Sequence, residues 1–304
     1  MADDRWGIDG RIRIPTPVGS YHGRMMSQTE SVACRLGAVS YLNTLPLIDG
    51  LNRIPGVSVV PDVPARLADR LEAGETDLSL CSVIDQQISG RPLELVPVGQ
   101  IGCDGETRTV AIFSRVPMDQ IEEVACDVES HTSVALARIL LAERTGILPR
   151  VTPYPPESKE TPDSVLLIGD KVARLAPPPS THPHRVDLGI AWKELTGLPF
   201  VFAAWFRCAD ADEATRARAE RLAVLVDHTR RRHATLIPTI ARREAAAHGW
   251  TVPEAIFYLG SLIRYECTPR SIEAIERFQR LAAHWGVIES QRPLEVVGAE
   301  AVGA

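Results

Sequence analysis

Apolar and polar positions alternate in blocks along the chain, and the blocks predict strands separated by helices. The run from Leu36 to Val39 in "CRLGAVS" is short, apolar and reads as a buried strand. It stops at Ser40, and Tyr41, Leu42, Asn43 and Thr44 follow, with a proline at position 46. Thr44 to Leu51 has the spacing of a short helix, and "VSVVPDV" of a second strand. In Pro64–Ala73, Leu67 and Leu71 share one stripe, Pro64 sits near the first turn and Gly74 lies just past the end, so a helix is expected. "DLSLCSV" is a third strand, "LELVPVGQIG" and "RTVAIFS" read as extended, and "EEVACDV" is a further strand. "SHTSVALARILLAERTG" is the clearest helix, closed by Gly146 and Pro149. "SVLLIGD" and "PFVFAAWFR" are strands with the short helix "GIAWKELTG" between them. From Asp212 the pattern is helical over roughly 212–232, 234–248, 253–262 and 269–284. Strands separated by helices predict βαβ units and a parallel sheet covered on its faces. "APPPSTHPHR", 176–185, reads as a proline-rich surface loop.

Ligands of parallel α/β sheets bind beyond the carboxyl ends of strands. The polar residues at those positions are Ser40, Tyr41, Asn43 and Thr44 after the first strand, Ser82 after the third, and Thr107 and Thr109 around the "CDGETRT" turn. Ser130, Thr132 and Ser133 open the long helix, and Gly169 and Asp170 follow "VLLI". The groups are nearly all neutral and rich in hydroxyls, and two of them precede helices, whose free N–H groups favour a carboxylate. Plainer roles exist for several. Ser130 or Thr132 also reads as an ordinary N-cap, Asn43 as the cap of the next short helix, and Asp170 as a helix start or a surface pair with Lys171.

Composition narrows the field. The chain has 304 residues, enough for two lobes, with 45% hydrophobic and 24% charged residues. The formal net charge of −6 argues against a nucleic-acid partner, so "TRRRH" at 229–233 reads as a solvated helix face. It also requires any anion site to be built locally. None of the six cysteines forms a C-x-x-C pair, His182 and His184 lack further ligands, and no phosphate-loop or dinucleotide motif is present. No metal and no organic cofactor is therefore expected. No apolar run approaches the roughly 18 residues of a membrane span. The polar segment from Met1 to Val32 lacks a secretory pattern, and the cytoplasm is the expected compartment.

Six strings, in order, carry a resemblance: "GAVSYLNTLPL", "LADRLEAGETDLSLCSV", "DGETRTVAIFSR", "HTSVALARILL", "LLIGDK" and "DLGIAWKELTGLPFVFAAW". The chain resembles the chorismate dehydratases of the futalosine route to menaquinone from about Arg35 to Tyr265. The resemblance implies a two-lobed α/β fold like the type 2 periplasmic binding proteins, with the ligand in the cleft between lobes. It places lobe one at 35–112 and 203–290 and lobe two at 113–202. A flexible extension would cover 1–34 and a flexible tail 291–304. It implies a lyase that removes water from chorismate to give 3-[(1-carboxyvinyl)oxy]benzoate. Asn43 would be the catalytic amide. Ser40, Ser82, Thr109, Thr132, Ser133, Gly169 and Asp170 would bind substrate, and Glu106 would lie on the rim. Thr109 stands where the family is expected to carry serine, with Cys103 in the preceding turn. Two alternatives remain open: the sister enzyme that forms a dihydroxynaphthoate from a cyclic futalosine, and a solute-binding protein without catalysis. Gly169, where the sister enzyme is expected to carry a histidine, favours the dehydratase.

Overall fold

The computed structural model describes residues 33–127, 129–155 and 161–298, so the extension expected before Cys34 lies almost wholly outside the described residues. The strands are β1 (Cys34–Ala38), β2 (Val57–Pro61), β3 (Leu78–Ser82), β4 (Leu93–Cys103), β5 (Val110–Ser114) and β6 (Glu123–Cys126). They continue with β7 (Arg150–Pro153), β8 (Ser164–Ile168), β9 (His184–Asp187), β10 (Phe200–Cys208) and β11 (Ile263–Arg264). They form two sheets, one ordered β11-β4-β10-β3-β1-β2 and the other β7-β6-β8-β5-β9.

The alternation of strands and helices predicts a parallel sheet, but neither sheet is wholly parallel. β1 runs parallel to β2 and β3, and β6 to β7 and β8. The strands that begin and end the excursion between sheets break the pattern: β5 is antiparallel to β8 and β9, and β10 is antiparallel to β3 and β4. The first passage falls at 104–109, ahead of β5, which lies entirely in the second sheet.

The His131–Thr145 helix is buried from His131 to Ala142 without interruption, because it packs against both β8 and β10 and against the Pro269–His284 helix. A helix covered on every side shows no amphipathic stripe, and its buried positions, His131, Thr132, Ser133 and Arg138 among them, fall on all its sides. Trp192, Phe200 and Phe278 meet edge to face at centroid distances of 5.1–6.2 Å, tying the Leu188–Thr196 helix and β10 to the Pro269–His284 helix. Segment 292–297, expected as a loose tail, is pinned. Leu95 N–H donates to Glu295 O at 2.8 Å, Val297 N–H donates to Leu95 O at 2.9 Å, and the Arg292 N–H donates to Gln87 Oε1 at 2.6 Å. The proline-rich segment at 176–185 is only partly a surface loop: His182 is buried with Nε2 2.8 Å from Pro162 O, and His184 begins β9.

Candidate active site between the two sheets

A cavity opens where the carboxyl ends of β1, β3 and β8 meet the 104–109 passage. Its wall includes Asn43, Ser82, Thr109, Ser133 and Gly169 among the residues expected at the site, together with Tyr41, Thr107 and Ser130. Val39, Pro64, Ile101, Val110, Ile168, Phe202, Ala203 and Ile263 supply the apolar remainder, and Tyr258 completes the wall. No carboxylate, imidazole, lysine or arginine is among these lining residues.

The short 3-10 turn Leu42–Thr44 carries Asn43. Its side chain caps no helix. Asn43 Nδ2 donates to the Tyr258 hydroxyl at 3.1 Å, and Thr44 Oγ1 donates to Asn43 Oδ1 at 3.3 Å. Thr109 Oγ1 lies 3.0 Å from the same Tyr258 oxygen. Ser82, at the end of β3, is buried, and its Oγ has no partner among the described residues. An unpaired buried hydroxyl costs about 1–3 kcal/mol unless a ligand meets it. Ser130 is the N-cap of the long helix, its Oγ accepting from Ser133 N–H at 3.3 Å, with the two hydroxyls 3.0 Å apart.

Three expected residues stand elsewhere. Ser40 is exposed at the end of β1, outside the cavity wall. Thr132 is fully buried, with Oγ1 accepting from Ile84 N–H at 3.3 Å, because its helix position faces the packed side rather than the cleft. Asp170 points to the outer layer, where its carboxylate accepts from Trp250 Nε1 at 2.7 Å and meets His248 Nδ1 at 3.0 Å. Lys171 does not pair with Asp170 but reaches Asp127 and Glu129, each at 2.8 Å. Gly169 has a left-handed φ of 59°, which favours glycine, and a β-carbon there would touch the Tyr41 ring at 3.7 Å. Glu106 pairs with Arg108 at 3.1 Å, outside the cavity wall. Burial pushes the Cys103 thiol up to about 12, so it is an inert buried hydrophobe.

Two features had no signal in the sequence pattern. Asp187 gathers the passage: its carboxylate accepts from Thr107 N–H at 3.1 Å, Thr107 Oγ1 at 3.0 Å and Arg108 N–H at 2.8 Å, and also from Gly189 N–H at 3.0 Å and Ile190 N–H at 3.3 Å. These bonds hold Arg108 at a φ of 62°, an uncommon conformation for a residue with a β-carbon. Tyr41, in the bend after β1 of the first sheet, donates at 2.5 Å to Glu129 Oε2, which follows β6 of the second. Burial, then the neighbouring Glu129, pushes the Tyr41 hydroxyl far above its ordinary value. Burial would raise Glu129, but Lys171 and the Tyr41 hydroxyl hold its carboxyl below the usual range.

The family model for menaquinone biosynthesis matches residues 34–284, which include every element that lines the cavity. The chain belongs to the menaquinone-biosynthesis family. The chorismate dehydratase of Thermus thermophilus is 36% identical over 193 residues, spanning 56% of this chain and 68% of that enzyme. Among solved structures, a protein from Archaeoglobus fulgidus matches with a TM-score of 0.65 and 12% identity, covering 86% of this chain and 100% of that one. The alkanesulfonate-binding protein of Xanthomonas axonopodis pv. citri matches with a TM-score of 0.61 and 15% identity, over 84% and 93%. At such identities the likeness is one of fold: this menaquinone-biosynthesis family member has the two-lobed architecture of periplasmic binding proteins. No helix among the described residues is long and apolar enough to cross a membrane.

Proposed function

We propose that the protein is a lyase that dehydrates chorismate to 3-[(1-carboxyvinyl)oxy]benzoate in menaquinone biosynthesis. The observation that carries this reading is the convergence of neutral donors from both sheets on one cavity: Asn43, Ser82, Thr109 and Ser133. The family match and the likeness to the Thermus thermophilus enzyme support it.

The chemistry suits such a lining. The C–H bond on the ring carbon that bears the ether is activated through the ring alkene by the ring carboxylate. A base takes that proton, and the electron pair moves towards the carboxylate as a dienolate. The pair then returns to expel the neighbouring hydroxyl, which takes the abstracted proton back from the base and leaves as water, and aromatisation drives the step. Negative charge that grows on a carboxylate is stabilised by fixed N–H and O–H donors, and in a dry cavity each such donor is worth about 3–4 kcal/mol of barrier. Asn43 and Ser82 take that role here, and Thr109 orients the ring. Ser133, at the N-terminus of the His131–Thr145 helix, holds the second carboxylate, where free N–H groups and the helix dipole favour an anion. Because the lining offers no carboxylate or imidazole, the side-chain carboxylate of the substrate itself serves as the base, held within reach of the ring proton.

Incubation of the purified protein with chorismate, with mass detection of the product, tests the proposal. The expected result is loss of one water and appearance of an aromatic ultraviolet spectrum. Binding of chorismate without turnover would instead identify a solute-binding protein, as the alkanesulfonate-binding fold relative is.

A further inference from the structure

Tyr258 is absent from every motif in the sequence, yet its hydroxyl is the one atom that Asn43 and Thr109 share. The two reach it from different parts of the molecule, Asn43 after β1 of the first sheet and Thr109 immediately before β5 of the second. We infer that Tyr258 is a positioning residue of the dehydration, setting which protons Asn43 and Thr109 present to the substrate. The inference rests on the dehydratase reading and extends it.

The argument is one of proton accounting. Asn43 Nδ2 carries two protons and gives one to Tyr258 at 3.1 Å. Thr44 Oγ1 occupies Asn43 Oδ1, so the amide is oriented from both ends and its second N–H proton is left for the cavity. The Tyr258 oxygen has then accepted a bond and has one proton to place. Thr109 Oγ1, at 3.0 Å, is the acceptor within reach among the described residues. Leaving a buried hydroxyl proton unpaired would cost about 1–3 kcal/mol, so the proton goes to Thr109. Thr109 is thereby turned into a donor, with its own proton free for the substrate or for Thr107 O at 3.4 Å. Burial keeps the phenol protonated, raising it well above its ordinary value against the lowering effect of the Thr109 and Asn43 bonds.

The ring is held as firmly as the hydroxyl. Tyr258 is 1% exposed and opens a π-helical turn, Tyr258–Leu262, of a kind that recurs at functional sites. It stacks on Trp250 with an 11° interplanar angle and 4.8 Å between centroids. Trp250 in turn donates to Asp170. The series Asp170–Trp250–Tyr258 thus ends at two donors of the cavity, with Trp250 and Tyr258 standing between Asp170 and those donors.

The test is a double-mutant cycle of Asn43→Ala and Tyr258→Phe, reading kcat, KM and melting temperature with chorismate. Tyr258→Phe keeps the ring and its stack, so the melting temperature should hold within a few degrees. Its kcat should fall about 10- to 100-fold, with KM changing less than about threefold. The double variant should lose less than the product of the two single losses, because Tyr258 acts in part through Asn43 and in part through Thr109. Full activity of Tyr258→Phe in the presence of an active wild type overturns the inference alone, as do losses that multiply in the double variant. A wild type that never dehydrates chorismate overturns the dehydratase reading, and this inference with it. Should Tyr258→Phe fail to fold, Trp250→Phe takes its place: a lower kcat at constant KM supports the inference, and an unchanged kcat overturns it.

Discussion

Asn43 and Asp187 are both polar residues at strand ends, and they do opposite work. The Asn43 side chain makes no backbone cap and spends its hydrogen bonds on Tyr258 and Thr44. Asn43→Ala should therefore lower chorismate turnover by about 10²–10³, or roughly 3–4 kcal/mol, while leaving the melting temperature nearly unchanged. A melting point several degrees lower with turnover within about threefold of wild type would make Asn43 structural. Asp187 instead satisfies backbone donors of the 104–109 passage and of the Leu188–Thr196 helix. Asp187→Asn turns an NH₂ group towards those N–H donors. The expected cost is about 2–3 kcal/mol of stability, seen as a fall of several degrees in thermal unfolding, with activity lost because Thr109 moves. Asn43 was readable from its place after an apolar strand and from the "SYLN" string. Asp187 stands before a short helix as an N-cap does, accepting from Gly189 and Ile190 N–H, but its bonds to Thr107 and Arg108 some eighty positions earlier follow from no local pattern.

Among the elements, the 104–109 passage and the Leu188–Thr196 helix are fitted to each other at Gly189. A β-carbon there would lie 2.2 Å from Gly105 O and 2.5 Å from Thr107 Cγ2. The first of these is backbone and cannot rotate aside. Gly189→Ala should cost about 1–3 kcal/mol through that overlap and should raise KM, since the displaced passage carries Thr109. Thermal unfolding and steady-state kinetics on one preparation check both; unchanged values would show that the passage yields freely. The long helix illustrates the limit of periodicity. Its existence was plain from apolar length and a closing glycine, but a helix buried all round gives no stripe to say which end of which turn meets the cleft. Ser130 and Ser133 face the cavity and Thr132, between them, faces the packed side. A side chain one position along a helix is turned by about 100°, so only packing could separate the three.

For the molecule as a whole, the cavity walls come from both sheets, and a ligand there should bind them together. Chorismate at about 100 times its Kd should stabilise the Asn43→Ala variant, which cannot consume it rapidly, by about 2.7 kcal/mol, seen as a rise of several degrees in melting temperature. No rise at saturating concentrations would place the ligand elsewhere. Hydroxyls and one amide are a weak ligand set for a divalent cation, and the elimination transfers no electrons. Dialysis against a chelator should therefore leave the rate unchanged; activity lost and then restored by one specific divalent ion would overturn this.

The sequence by itself determined the elements and the chemical character of the site. Apolar runs, proline and glycine punctuation and strand-end polar residues are local properties, and a net charge of −6 with hydroxyl-rich strand ends already described neutral donors for an anion. The direction of the strands, the partners of Asp170 and Asp187, and the place of Tyr258 were decided by tertiary structure. Alternation of elements is the same whether a strand enters a sheet parallel or antiparallel, and the choice is made where β5 and β10 join the two sheets. Tyr258 lies 215 positions from Asn43 and 149 from Thr109. A hydrogen bond over such separations exists only once both sheets have closed around it.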